Sequence, residues 1–222
     1  IPGVRTHLAR VAADIARRYA VDGIHLDFIR YPGTKWSYDT VSLRVFGLDP
    51  TTKSAEWAQF RRDQVSAAVR ETRDSVLAAK PSAILSAAVW GIYKDNWSWS
   101  SSQGYSQYFQ DPRAWAAAGT LDVAVPMMYW TLKSAYCSYT DWLCLLDDHL
   151  AAFKAANRHM YAGMLASYGA MEMEREIQLG RERGVQGFTV FSYSSAKSTG
   201  LFDSLATRAF RLPARVPTMT WR

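Results

Sequence analysis

The sequence predicts an α/β fold, a (β/α)8 TIM barrel of which strands four to eight are present and the first three are missing. Three observations predict it. Five short apolar runs, none alternating with polar residues, are each separated by a helical stretch, the pattern of parallel strands covered on both faces. The segments after the runs are long and aromatic while those before them are tight, which suits a barrel whose active face is its C-terminal rim. Neither a G-x-G-x-x-G turn nor a P-loop occurs, as an open doubly wound sheet would need at its switch point.

The chain opens as a helix. Val4, Leu8, Val11, Ile15 and Tyr19 recur at three- and four-residue steps and give one apolar stripe. Asp22-Gly23 turns the chain into the first strand, Ile24–Ile29, and a long loop follows to about Lys53. A helix runs from Ser54, read as its N-cap, to Ala79, where Pro81 stops it. Ile84–Trp90 is the second strand, followed by a loop from Gly91 to about Gln110. Asp111-Pro112 starts a short helix that ends at Gly119. The third strand is Leu121–Tyr129, then a loop and a helix from about Thr140 to Asn157. Met160–Leu165 is the fourth strand, with a helix ending at Gly184 behind it; Gly187–Tyr193 is the fifth, and Leu201–Leu212 closes as a helix. Eight strands need about 250 residues, so residues 1–212 read as the C-terminal five-eighths of the barrel and 213–222 as an extension.

Composition sets outer bounds. The 222 residues, 49% hydrophobic and 21% charged, suffice for one sizeable core. No apolar run reaches the ~18–20 residues of a membrane span. The net charge of +6 comes from 26 Lys and Arg scattered along the chain, whereas a nucleic-acid binder would gather them in a stripe or tail. Cys137 and Cys144 show no zinc spacing; a bridge and two free thiols both remain open. No metal or organic cofactor is implied.

Asp27 closes the first strand, where a barrel places catalytic groups, and a carboxylate among Ile24, Leu26, Phe28 and Ile29 would be costly to bury without a purpose or a partner. His25 shares its face, and Arg30 and Tyr31 follow at the rim. Arg30 is expected to orient the Asp27 carboxylate for catalysis or, in the structural alternative, to pair with it and merely fix the long loop. His25 and Tyr31 are candidate substrate-binding residues. Hydrolysis of a glycosidic bond generally needs two carboxylates. For the second, the loops offer Asp95, Asp111 and Asp141, and Glu172 and Glu174 follow the fourth strand. Asp95, on an aromatic loop, is the first choice; Asp111 reads as a helix cap, and Glu172 and Glu174 as a helix first turn complementing the dipole. Asp22 and Asp122 precede strands, at the opposite end, and read as turn or capping residues. Aromatic residues make up 14% of the chain, with seven between Trp90 and Phe109. Flat aromatic surfaces suit the C–H faces of pyranose rings, so Trp90, Tyr93, Tyr129, Trp130 and Tyr193 are candidate sugar-binding residues. The structural alternative is that such side chains pack the loops over the barrel.

Asp22–Pro32, "DGIHLDFIRYP", resembles the signature of the glycosyl-hydrolase-like 10 family. The resemblance continues through Tyr108–Asp111, Trp115, Gly119, Leu121-Asp122, Pro126–Trp130 ("PMMYW") and Gly187–Ser194 ("GFTVFSYS"). It implies a barrel of the large glycosidase superfamily, a catalytic role for Asp27, and a bacterial envelope or extracellular polysaccharide as substrate, peptidoglycan glycan strands or an amino-sugar polymer. It also implies an extracytoplasmic location. "DGIHLDFI" with "MMYW" is similar, more distantly, to chitinase-like barrels, but the acidic Glu of those would fall at Ile29, which argues against their substrate-assisted mechanism. The alternatives from other classes are a non-catalytic carbohydrate-binding barrel and, for want of a phosphate loop much less favoured, an α/β protein for an anionic small ligand.

Overall fold

The computed structural model describes residues 1–222. Five strands, hydrogen-bonded in sequence order β1-β2-β3-β4-β5, alternate with helices. The backbone packs as two compact units, Ile1–Lys94 with Ser102–Val123, and Asp95–Ser101 with Ala124–Arg222.

In the first unit, α1 (Pro2–Arg18) precedes β1 (Gly23–Leu26), and α2 (Thr40–Phe46) and α3 (Ser54–Ala79) lead to β2 (Ile84–Trp90). Two short helices follow, α4 (Gly104–Gln107) and α5 (Pro112–Ala117). β1 and β2 pair in parallel, Gly23 opposite Ile84 and Leu26 opposite Ala87. Gly23 is required by that closeness, since a Cβ there would lie 2.3 Å from the Ile84 carbonyl oxygen. Asp122, fully buried, fixes the entry to the third strand: its carboxylate accepts the Leu85 N–H at 2.8 Å and its own N–H donates to the Leu85 carbonyl at 3.0 Å. The turn reading of Asp122 thus becomes a strand-to-strand clamp.

α1 departs from its sequence pattern. The stripe of Val4, Leu8, Val11, Ile15 and Tyr19 is exposed, from 37% at Leu8 to 63% at Tyr19, while Ala9, Ala12, Ala13 and Ala16 are buried. Ala12 and Ala16 form a core cluster with Val76 of α3 and Ala83, against which Ile24 packs. Small side chains permit close helix approach, so the alanine face and not the larger apolar stripe turns inward. Arg5 ties α1 to α3 through Glu71 at 2.9 Å and through Gln64. At α3 the N-cap is Lys53, without a side-chain cap bond, and not Ser54.

In the second unit β3 (Val123–Met127) leads to α6 (Trp142–Ala155), β4 (His159–Leu165), a single 3-10 turn (Ala166–Tyr168), α7 (Ala170–Glu182), β5 (Gly187–Phe191), α8 (Tyr193–Ser198) and α9 (Leu201–Thr207). β4 and β5 pair in parallel, Tyr161 opposite Gly187 through Leu165 opposite Phe191. Gly163 lets β4 meet β3, since a Cβ there would lie 2.2 Å from the Pro126 carbonyl oxygen. The core is Trp142, Leu145, Leu146, Phe153, Met160 and Met164, all fully buried. Cys137 and Cys144 are bridged. The last residues fold back on the start of β4: Trp221 meets His159 edge-on at 4.9 Å and lies beneath the Arg158 guanidinium. No helix is long and apolar enough to cross a membrane.

Candidate active site

The strand expected over Ile24–Ile29 stops at Leu26. Phe28 takes a positive φ of 52°, and the Arg30 N–H donates to the Phe28 carbonyl at 2.7 Å. The chain therefore turns out of the sheet at Asp27, and the carboxylate that the apolar run suggested would be buried is exposed. Its Oδ1 accepts the Phe28 N–H at 2.7 Å. Leu26 and Ile29 stay buried, whereas Phe28 is 75% exposed.

Around this turn the first unit gathers several of the anticipated residues. The expected pairing of Arg30 with Asp27 is replaced by stacking, the guanidinium lying 4.3 Å from the Phe28 ring centre and 5.5 Å from that of Trp90. Trp90 stacks on Tyr108 at 3.9 Å and donates its indole N–H to the Ser102 carbonyl. His25 Nδ1 lies 2.9 Å from the Ser86 hydroxyl. Desolvation lowers the His25 pKa and the Asp27 charge opposes that shift, so the imidazole is neutral near pH 7 and electrostatically linked to Asp27. Tyr31 sits a little further on, edge-on to Phe109 at 5.6 Å.

Gln110 organises this rim, and the sequence reading passed over it. Fully buried, it donates from Nε2 to the carbonyls of Ile29 and Ala88 and accepts the Trp90 N–H at Oε1. One amide thus joins the end of β1 to the end of β2. The available signal is a polar residue between Phe109 and the helix cap Asp111, at the end of the expected loop.

Tyr93 does not belong to an open sugar face. It is 8% exposed, donates its hydroxyl to Asp111 at 2.9 Å, and carries the Arg113 guanidinium 4.2 Å above its ring. Burial, then the charge and bond of Asp111, push its pKa up. Asp111 also accepts the Ala114 N–H, the expected helix cap.

The other anticipated residues lie in the second unit. Asp95 accepts the N–H groups of Trp97, Trp99 and Ser100 at 3.1, 3.0 and 2.8 Å. Its partial burial raises the pKa, but these donors outweigh that and lower it. The carboxylate is held as an ionised loop organiser. Asp141 caps α6 and also accepts the Cys137 N–H. Tyr129 stacks on Phe191 at 5.4 Å, and its carbonyl accepts the Tyr168 hydroxyl. Trp130 is half-buried, and Tyr193 is 69% exposed beside Phe202.

A carboxylate the sequence reading did not weigh is also here. Glu176 is 1% exposed, and its Oε1 has no hydrogen-bond partner. Burial first and the nearby Glu172 second raise its pKa to about 9, so it is protonated at neutral pH. Glu172, expected only to complement the helix dipole, reaches the Leu132 N–H at 2.6 Å. The signal for Glu176 was periodic: Met173, Glu176, Ile177 and Gly180 fall on one buried face of α7.

An exposed carboxylate thus ends a parallel strand, and Arg30 stacks between Phe28 and Trp90 in the turn that follows it. The family description "Glycosyl hydrolase-like 10" matches residues 1–173; the chain belongs to that family. The match ends before Gly187–Ser194, the last motif of the sequence-level resemblance. Over its whole length the chain is 26% identical to glycosyl hydrolase YngK of Bacillus subtilis, spanning 47% of that protein. Over 63% of its length it is 28% identical to glycosyl hydrolase DigH of Escherichia coli, spanning 33% of it. The chain therefore spans half or less of these relatives. In structure it is similar to the PgaB (BpsB) glycoside hydrolase domain from Bordetella bronchiseptica, with TM-score 0.65, 11% identity, and coverage of 92% of this chain and 61% of that one. The catalytic domain of β-amylase from Paenibacillus polymyxa gives 0.62, 11%, and 91% and 69%. At such identities the likeness is one of fold.

Proposed function

We propose that the protein is a glycoside hydrolase of a bacterial envelope or extracellular polysaccharide, peptidoglycan glycan strands or an amino-sugar polymer, and that Asp27 is its catalytic carboxylate. The observation that carries this reading is the exposed Asp27 at the end of β1, followed directly by Phe28, over whose ring Arg30 stacks with Trp90 as its other contact. An exposed carboxylate can meet substrate, and His25, neutral and linked to it electrostatically, can donate or accept a proton within the same rim. In this reading Tyr31 and Trp90 contribute sugar contacts in the first unit, and Tyr129, Trp130 and Tyr193 do so in the second. The five strands are strands four to eight of an eight-stranded barrel, in keeping with a chain that matches 61% and 69% of the two solved domains. An extracytoplasmic location is supported by the Cys137–Cys144 bridge, since disulfides persist in oxidising compartments.

One observation favours a second reading, a carbohydrate-binding barrel without hydrolysis. Asp95, the first choice for the second carboxylate, is taken up by three backbone donors, which leaves Asp27 without an assigned partner. Incubating the protein with purified peptidoglycan strands and with poly-N-acetylglucosamine separates the two. Release of new reducing ends that is lost in Asp27→Asn supports the enzyme; binding without cleavage supports the second reading.

A further inference from the structure

The segment Asp95–Ser101 builds something that loop packing alone does not require. Trp97 and Trp99 stack with ring centres 4.4 Å apart and 20° between their planes, and both remain half-buried. Ser98 and Ser100 take left-handed backbone, φ 61° and 55°, uncommon for residues with a side chain. With Ser98 inverted between them, two indoles two residues apart are brought face to face. The Asp95 carboxylate locks this turn through the N–H groups of Trp97, Trp99 and Ser100.

The pair is also anchored from outside the turn. The Trp99 indole N–H donates to the Cys137 carbonyl at 3.1 Å. Cys137 is bridged to Cys144, which is 1% exposed on α6 among fully buried Trp142, Leu145 and Leu146. The position of the indoles is thus set by a chain of bonds that ends in the core of the second unit, leaving the rings partly open.

We infer that Trp97 and Trp99 form a preorganised carbohydrate-binding platform whose position depends on the Cys137–Cys144 bridge. A flat apolar surface held rigid while still open to water suits a ligand with flat apolar faces and a polar edge. Pyranose rings have that shape, and the hydroxyls of Ser98, Ser100 and Ser101 lie in the same segment. A nucleic-acid strand would also stack, but it needs cations along its backbone, and Asp95–Ser101 contains no Lys or Arg. This inference rests on the carbohydrate reading above and adds a contact to it.

The test is calorimetric titration of the whole chain with chito-oligosaccharides and with purified peptidoglycan glycan strands. Trp97→Ala and Trp99→Ala are each expected to weaken binding about tenfold or more, by analogy with single-base stacking, with melting temperature and far-UV circular dichroism unchanged. Trp99→Phe, which keeps a ring and loses the N–H, should fall between. Replacing both cysteines by alanine should weaken binding as much as Trp99→Ala. Wild-type affinity in both tryptophan variants overturns the platform and leaves the carbohydrate reading intact. Wild-type affinity in the double cysteine variant overturns the dependence on the bridge. A wild-type protein that binds neither glycan overturns platform and carbohydrate reading together.

Discussion

Asp27 and Glu176 are carboxylates with apolar neighbours, and the chain treats them in opposite ways. Asp27 sits where β1 turns out of the sheet, exposed and bonded only to the N–H of the next residue. Glu176 lies on the buried face of α7 with Met173 and Ile177, and keeps its proton because burial and Glu172 make ionisation costly. The difference separates two uses of an acidic side chain. The first can meet a substrate and adds little to the fold; the second meets no substrate in this conformation and makes the fold sensitive to pH. Asp95 and Asp122 complete the range, each spent on backbone N–H groups.

The largest expected effect tests the first half of this contrast. Asp27→Asn keeps the shape and removes the charge, so glycan hydrolysis should fall by about 10²–10⁴-fold or more, while the melting temperature stays within about a degree of wild type. Reducing-end release alongside thermal unfolding checks both. A stability loss with activity preserved would move Asp27 to the structural class.

Glu176→Gln tests the other half. The native carboxyl holds its proton up to about pH 9, whereas the unfolded chain releases it near the ordinary value of about 4.3. Between those two values the native state binds the extra proton, so stability is greatest below the unfolded pKa and falls as pH rises toward the folded one. The glutamine variant lacks this slope. It should match wild type near pH 4 and exceed it by about 4 kcal/mol at pH 7, at about 1.36 kcal/mol per unit. Denaturant titrations across pH 4–9 measure it. Parallel curves for the two proteins would mean that Glu176 is ionised in the native state.

Asp122→Ala probes a buried carboxylate that is fully used. It removes the acceptor of the Leu85 N–H in a site without solvent, and should cost about 2 kcal/mol. Unfolding midpoints in urea decide it.

The part of the fold that depends on periodicity and on Gly, Pro and Asp punctuation was legible: Ile84–Trp90 as a strand, the helix stopping at Ala79 before Pro81, the cap Asp111. What was not legible depends on partners distant in sequence. In α1 the apolar stripe pointed one way and the alanine face another, and only the presence of α3 decides between them. Tyr93 looked like its aromatic neighbours until Asp111 and Arg113 closed over it. At the site, Asp27, Arg30 and Trp90 were legible as candidates from the motif and the strand ends, but the stacking of Arg30 toward Trp90 was not. Nor was Gln110, because a single polar residue in a loop gives no hint that three buried backbone groups converge on it.

The smallest effect sharpens the comparison most, because it changes Glu176 without touching it. Glu172 raises the Glu176 pKa by its charge and also accepts the Leu132 N–H. Glu172→Gln keeps an oxygen to accept that bond and removes the charge. The weaker hydrogen bond should cost about 1 kcal/mol. Against it, the Glu176 proton should be released at lower pH, so the pH at which stability stops falling should move down. Burial is the larger cause of the raised pKa and Glu172 the smaller, so that limit should move by a minor part of the whole shift and stay well above the ordinary carboxylate value. Carbon-13 NMR of the glutamate side chains, with Glu176→Gln to assign the resonance, reads the titration directly. A Glu176 that returns to the ordinary range in this variant would make the charge of its neighbour, and not burial, the reason the two carboxylates behave so differently. An unmoved titration would mean that Glu172 is screened from it, and that burial alone separates α7 from the exposed end of β1.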